Sequence, residues 1–179
     1  MRFAAFAGAA ALAIGILTAA SAGPAAASVE YGGLSLANAP AYGMYAAQGV
    51  TADSSVAVNT GYPARWGIAV LGPQETLGNP KVTGYPEEFH AITTKGTLTN
   101  WCIAGNAEYG DAYLASCGAN GTVFIVVFNG DGVLLYSRYF LDSGSDWVLA
   151  VYSPSPGDPV MTIPYNAVGG NWFGRWDNP

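Results

Sequence analysis

From Ser28 onward, the apolar residues come in short runs rather than at helical spacing. No stretch keeps them at i, i+3 and i+4 through three turns without a Gly or Pro interrupting. Runs rich in Val, Ile, Tyr, Phe and Trp are instead separated by turn clusters at roughly ten-residue intervals, which predicts an all-β chain. The clearest predicted hairpin joins Thr122–Phe128 to Val133–Phe140 through Asn129-Gly130-Asp131-Gly132, whose residues tolerate positive φ.

Three segments repeat one order of features. Each has a glycine-bearing turn exit, an apolar pair, a short strand and an aromatic-led strand. The first runs from Gly32-Gly33-Leu34 through Met44-Tyr45 and Val56-Ala57-Val58 to Trp66. The second runs from Lys95-Gly96-Thr97-Leu98 through Cys102-Ile103 and Ala112-Tyr113-Leu114 to Phe124. The third runs from Asp131-Gly132-Val133-Leu134 through Val148-Leu149 and Pro159-Val160-Met161 to Trp172-Phe173. Met44 to Trp66 and Cys102 to Phe124 both span 22 positions, and Val148 to Trp172 spans 24. Three units of about four short strands each predict a β-trefoil, in which a closed barrel shares one core and leaves no free sheet edge. The unit boundaries fall near 30–76, 89–130 and 131–179. Residues 71–88, with Gly72, Pro73, Gly78, Pro80, Gly84 and Pro86, read as a long surface loop between the first two units. A two-sheet β-sandwich is the alternative architecture.

The first residues change what the composition means. Arg2 precedes an apolar, alanine-rich run from Phe3 to Leu17, and small residues follow at Ala20-Ser21-Ala22 and Ala25-Ala26-Ala27. This is the pattern of a secretory signal peptide over residues 1–27, with cleavage after Ala27 or, alternatively, after Ala22. The whole chain has 179 residues, 12 acidic and 6 basic groups, and 51% hydrophobic positions. Without the leader, residues 28–179 keep all the acids and one basic group fewer, and form a single domain of ordinary hydrophobicity. An acidic chain with no basic run is not expected to bind nucleic acid, nor a membrane once the leader is removed. A secreted, extracellular monomer is the expectation. Export also gives Cys102 and Cys117 an oxidising compartment in which to form a disulfide. Two Cys and one His fall short of a structural zinc set, so neither metal nor cofactor is expected.

The second and third units resemble ricin-type β-trefoil lectins. Cys102-Ile103 with Cys117 is similar to that family's disulfide within one repeat. Phe128-Asn-Gly-Asp-Gly-Val-Leu134 resembles its Asp-Gly inter-repeat turn, and Pro159-Val-Met-Thr-Ile-Pro-Tyr-Asn166 resembles its Pro-Val-Gln-Leu-Trp-Pro-Cys-Asn strand. The resemblance implies a non-catalytic, carbohydrate-binding module with a glycan or polysaccharide as partner. Yet the positions matching the family's sugar-binding Asp carry Ala46, Ala104 and Ala150. Those matching its stacking aromatic carry Ala115 and Ile163. The Gln-x-Trp signature keeps its aromatic at Trp66, Phe124 and Trp172-Phe173 and loses the glutamine.

Two other sets supply sugar-binding chemistry, a ring for the sugar face with amides and a carboxylate for its hydroxyls. They are Asn106, Tyr109 and Asp111 in the loop between the cysteines, and Tyr165, Asn166 and Asn171 near the C-terminus. No catalytic residues are expected. His90 is the one histidine and reads as structural or surface, no Gly-x-Ser-x-Gly elbow is present, and Glu87-Glu88 read as a solvated loop end. Two other functional classes stand beside the lectin reading. One is a β-trefoil protease inhibitor that presents Lys81 from the 71–88 loop, and the other is a structural cell-envelope or matrix protein.

Overall fold

The computed structural model describes residues 29–60, 65–130 and 132–177. The predicted leader, residues 1–27, lies outside them. These described residues form fifteen strands in chain order. They begin with β1 (Val29–Gly33), β2 (Ser35–Leu36), β3 (Ala39–Ala46), β4 (Val56–Thr60) and β5 (Arg65–Val70). Next come β6 (Glu75–Leu77), β7 (Val82–Ile92), β8 (Leu98–Ala104), β9 (Tyr113–Ser116) and β10 (Val123–Phe128). After β11 (Val133–Ser137) the chain forms a short helix, α1 (Arg138–Asp142). It ends with β12 (Trp147–Tyr152), β13 (Met161–Pro164), β14 (Trp172–Phe173) and β15 (Trp176–Asp177).

The chain is all-β, and its antiparallel sheet curls back on its first segment. β1 pairs with β5, β5 with β7, β7 with β10, β10 with β11, β11 with β15, and β15 with β2. Only Leu34 separates β1 from β2, so one N-terminal segment has partners on both sides. Curling of this kind covers edge groups that an open sheet would leave bare. Three hairpins extend from this path: β3/β4 through β2, β8/β9 through β7, and β12/β13 through β11. They meet in a closed hydrogen-bond circuit. The Val56 N–H donates to the Ala112 carbonyl at 2.8 Å, Ala112 to Val160 at 2.7 Å, and Val160 back to Val56 at 2.8 Å. All three residues are fully buried, so this backbone can find partners only within the protein.

Inward positions of these strands make one main core, which includes Leu34, Leu36, Met44, Phe89, Phe124, Leu149 and Trp176. Two indoles fix how the hairpins seat on the sheet. Trp66 Nε1 donates to the Met44 carbonyl at 3.2 Å, and Trp176 Nε1 to the Leu149 carbonyl at 3.0 Å. The third buried aromatic is therefore Trp176 rather than the expected Trp172-Phe173, which are only half-buried on the β14 edge. The repeat spacing missed this because Trp172, Phe173 and Trp176 lie within five residues of one another.

Residues 71–88 are not a long loop. They form a β6/β7 hairpin whose turn is confined to 78–81, and β7, at 11 residues, is the longest of the described strands. From Val82 to Pro86 the burial alternates strictly, as a strand with one face on the core requires. Lys81 lies exposed in the tight turn. The predicted hairpin over 122–140 forms, with Phe128 opposite Val133, but its second strand ends at Ser137 and α1 follows. Ser137 Oγ does not cap this helix; it donates instead to the buried Gly105 carbonyl at 2.6 Å.

Glu87 and Glu88 belong to β7 and not to a solvated loop end. Burial, followed by the charge of Glu30, raises the Glu87 carboxyl from its ordinary 4.5 to about 7. A carboxyl that is harder to ionise when folded holds its proton more tightly in the native state. Its ionisation therefore lowers stability as pH rises from about 4.5, and the full loss is reached above about 7. We expect Glu87→Gln to raise the melting temperature at pH 8 and to leave it nearly unchanged at pH 4. Parallel melting curves with the same offset at both pH values would contradict this.

Candidate functional site

An open cleft of about 620 Å³ lies where α1 faces the 117–122 turn. The helix supplies Arg138, Tyr139, Phe140, Asp142 and Ser143 at its end, and the opposite wall supplies Glu108 and Gly118 to Gly121. The order of polar and apolar residues in α1 explains what it presents. Phe140 and Leu141 are buried, while Tyr139 and Asp142, three positions apart, share the exposed side. Arg138 anchors the helix base through an ion pair to Glu75 at 3.1 Å and a longer one to Asp142 at 3.8 Å.

A chain of rings extends from this wall. Tyr139 meets Phe140 edge-on at 5.2 Å, Phe140 stacks on Trp147 at 5.0 Å, and Trp147 meets Tyr109 edge-on at 5.0 Å. The inner rings are buried, whereas the end members Tyr139 and Tyr109 are 46% and 59% exposed. Tyr109 also holds φ at 51°, a left-handed conformation uncommon for a bulky residue. The cleft thus combines the exposed Tyr139 ring with two carboxylates and the backbone of a tight turn. That is chemistry suited to a polyhydroxylated ligand with one apolar face.

The predicted residues are only partly brought together here. Tyr109 does not line the cleft; its ring meets Trp147, which stacks on the cleft residue Phe140. Asn106 makes structural bonds, donating through Nδ2 to Tyr113 Oη at 3.0 Å and to the Asn120 carbonyl at 3.3 Å. Asp111 is exposed and its backbone bridges to Met161. Tyr165 and Asn166 lie on a 3₁₀ turn over 165–167, with the Tyr165 ring 5.5 Å from that of Tyr136. Burial, with Tyr165 and Asp146 nearby, pushes the Tyr136 phenol far above its ordinary value. Asn171 donates to Tyr152 Oη at 3.2 Å. Sequence reasoning did not bring Tyr139 and Asp142 to a site, because Arg138–Asp142 reads locally as the end of a strand, and it passed over Glu108 in the loop between the cysteines.

A second cluster lies behind the 117–122 turn. Glu88 is buried, and its Oε1 accepts from Gly118 N–H at 2.7 Å and from Thr122 Oγ1 at 2.6 Å. His90 is half-buried two residues further along β7, beside a Cys102–Cys117 disulfide. Closing a loop of 15 residues stabilises a fold by about 3 kcal/mol in the chain-entropy view.

No protein-family model matches the chain, and no curated protein matches it in sequence. Among the described residues, no helix is long and apolar enough to cross a membrane.

Proposed function

We propose that the chain is a secreted β-trefoil module that binds carbohydrate without catalysis, through the cleft between α1 and the 117–122 turn. The trefoil reading is supported by the pairing that returns to the N-terminal segment, by the three hairpins, and by the Val56–Ala112–Val160 circuit. The binding reading rests on one observation above all. The exposed Tyr139 ring shares its cleft with Glu108, Asp142 and Asn120. A ring face for the apolar side of a sugar, with carboxylate and amide groups for its hydroxyls, is the pairing such a ligand needs. Lys81 sits in a tight turn rather than on an extended segment, so the inhibitor alternative has less in its favour.

A glycan array followed by calorimetry on the best ligand tests the reading. Tyr139→Ala should weaken binding roughly tenfold, the value of one lost ring contact. Glu108→Gln combined with Asp142→Asn should weaken it further, while Asn166→Ala leaves it unchanged. Failure of the purified protein to bind any glycan or polysaccharide would refute the proposal, as would indifference to all the cleft variants.

A further inference from the structure

The geometry points to a latent zinc site: reduction of Cys102–Cys117 frees two thiolates that, with His90 and Glu88, supply four ligands to one metal ion. One donor atom from each of these four residues lies within 4.8 Å of all the others. Donors around a tetrahedral zinc ion stand roughly 3.3–3.8 Å apart, so small side-chain adjustments suffice once the S–S bond is broken.

The sheet builds this arrangement from chain order. Glu88 and His90 are two apart in β7 and therefore project from the same face. His90 faces Cys102 across the β7–β8 ladder, and Cys117 follows β9, the partner of β8. The β7–β8 register slips between His90 and Ile92, an irregularity of the kind that re-aims side chains at sites. The surrounding bonds leave the right atoms available. His90 Nδ1 lies 3.1 Å from the Thr99 carbonyl and 3.3 Å from Cys117 Sγ; the carbonyl can only accept, so Nδ1 carries the proton and Nε2 keeps its lone pair. Glu88 Oε1 takes both hydrogen bonds from Gly118 and Thr122. Oε2 is left facing His90 Nε2 at 4.0 Å, beyond hydrogen-bond reach. A histidine oriented by a carbonyl and a carboxylate oriented by a hydroxyl are the outer-shell supports that metal ligands use.

Disulfide and metal are alternative states of the same four residues. A dithiol reductant attacks the half-buried Cys117 sulfur, forms a mixed disulfide and leaves as its own cyclic disulfide. Cys102 and Cys117 gain two electrons and two protons between them. Zinc then releases those two protons to solvent and takes one lone pair from each thiolate, from the His90 ring and from the Glu88 carboxylate.

The test is titration of the purified protein with cobalt(II) and zinc(II), before and after reduction by a phosphine, which becomes its oxide with oxygen from water. The reduced protein should bind one equivalent of cobalt, with a thiolate-to-cobalt charge-transfer band and intense tetrahedral d–d absorption. Zinc should displace the cobalt, and the oxidised protein should show neither band. His90→Ala and Glu88→Gln should each weaken zinc at least tenfold, and Thr122→Val, which keeps every ligand, about tenfold. Each variant is first confirmed folded in its oxidised form by near-ultraviolet circular dichroism. If reduction alone unfolds the chain, zinc should restore that signal, and failure to do so overturns the proposal. Absence of the charge-transfer band in folded, reduced protein overturns it as well. So does zinc affinity unchanged in both His90→Ala and Glu88→Gln. None of these outcomes depends on glycan binding.

Discussion

Trp176→Ala should lower the melting temperature by roughly 6–20 °C, the most damaging single truncation we expect in this chain. The indole is fully buried in the main core, so its removal costs about 3–5 kcal/mol in lost transfer energy and residual cavity. For a chain of this size each kcal/mol moves the midpoint by about 2–4 °C. Two further losses fall on the same place. Leu149 forfeits the hydrogen bond its carbonyl receives from the indole. The backbone of residue 176 pairs with Leu36 on one side and Val133 on the other, so a cavity here loosens the closing strand of the curled sheet. Short β15 has no other register pair with β11 to compensate. Trp172→Ala, by contrast, removes a half-buried ring whose edge contact is with the exposed Tyr152, and should cost about 1 kcal/mol. Urea or thermal unfolding of the two variants separates these roles. A loss for Trp172→Ala as large as that for Trp176→Ala would show that the third core aromatic has been misplaced.

That contrast marks what could be read before the fold was known. Strand content was legible because it depends on local alternation and turn chemistry, and the hairpin centred on Asn129–Gly132 shows both. The Cys102–Cys117 pairing was legible because the sequence holds two cysteines and they lie close together along it. The choice between Trp172 and Trp176 was not, because both satisfy the same local pattern and only long-range closure against Leu36 selects one. Tyr139 and Asp142 were hidden for a related reason. Val133–Phe140 carries a continuous strand-like run, yet Ser137 Oγ is claimed by Gly105, more than thirty residues earlier in the chain, and the backbone turns into α1 at the next residue. The buried role of Glu88 depends on Gly118 and Thr122, about thirty residues further along. Adjacent acids beside a proline give no hint of such partners.

Gly84→Ala is the second large effect, and here local and global considerations have opposite signs. Taken locally, the change should help. Gly84 sits inside a strand and does not adopt a left-handed φ, and replacing such a glycine by alanine reduces unfolded-state entropy by about 0.4–1 kcal/mol. The neighbouring sheet reverses the sign. A Cβ on Gly84 would fall far inside van der Waals contact with the Val126 carbonyl oxygen. It would also approach within 2.9 Å of Ile125 Cγ2 and of the Val126 carbonyl carbon. Val126 belongs to β10, which is paired with β7 over Val123–Val126, so the obstructing atoms are backbone already fixed by a ladder and cannot rotate away. Opening that ladder would disturb the longest strand of the curled sheet, and we expect a net loss of about 3 kcal/mol. Gly96→Ala is the control. It has φ of 80° with open space around the added methyl, and should cost about 1 kcal/mol from backbone strain alone. If urea unfolding ranks Gly84→Ala as the milder of the two, the β7–β10 approach is wrong. The glycine that made 71–88 look like a loop is therefore there because two strands come too close to admit any side chain.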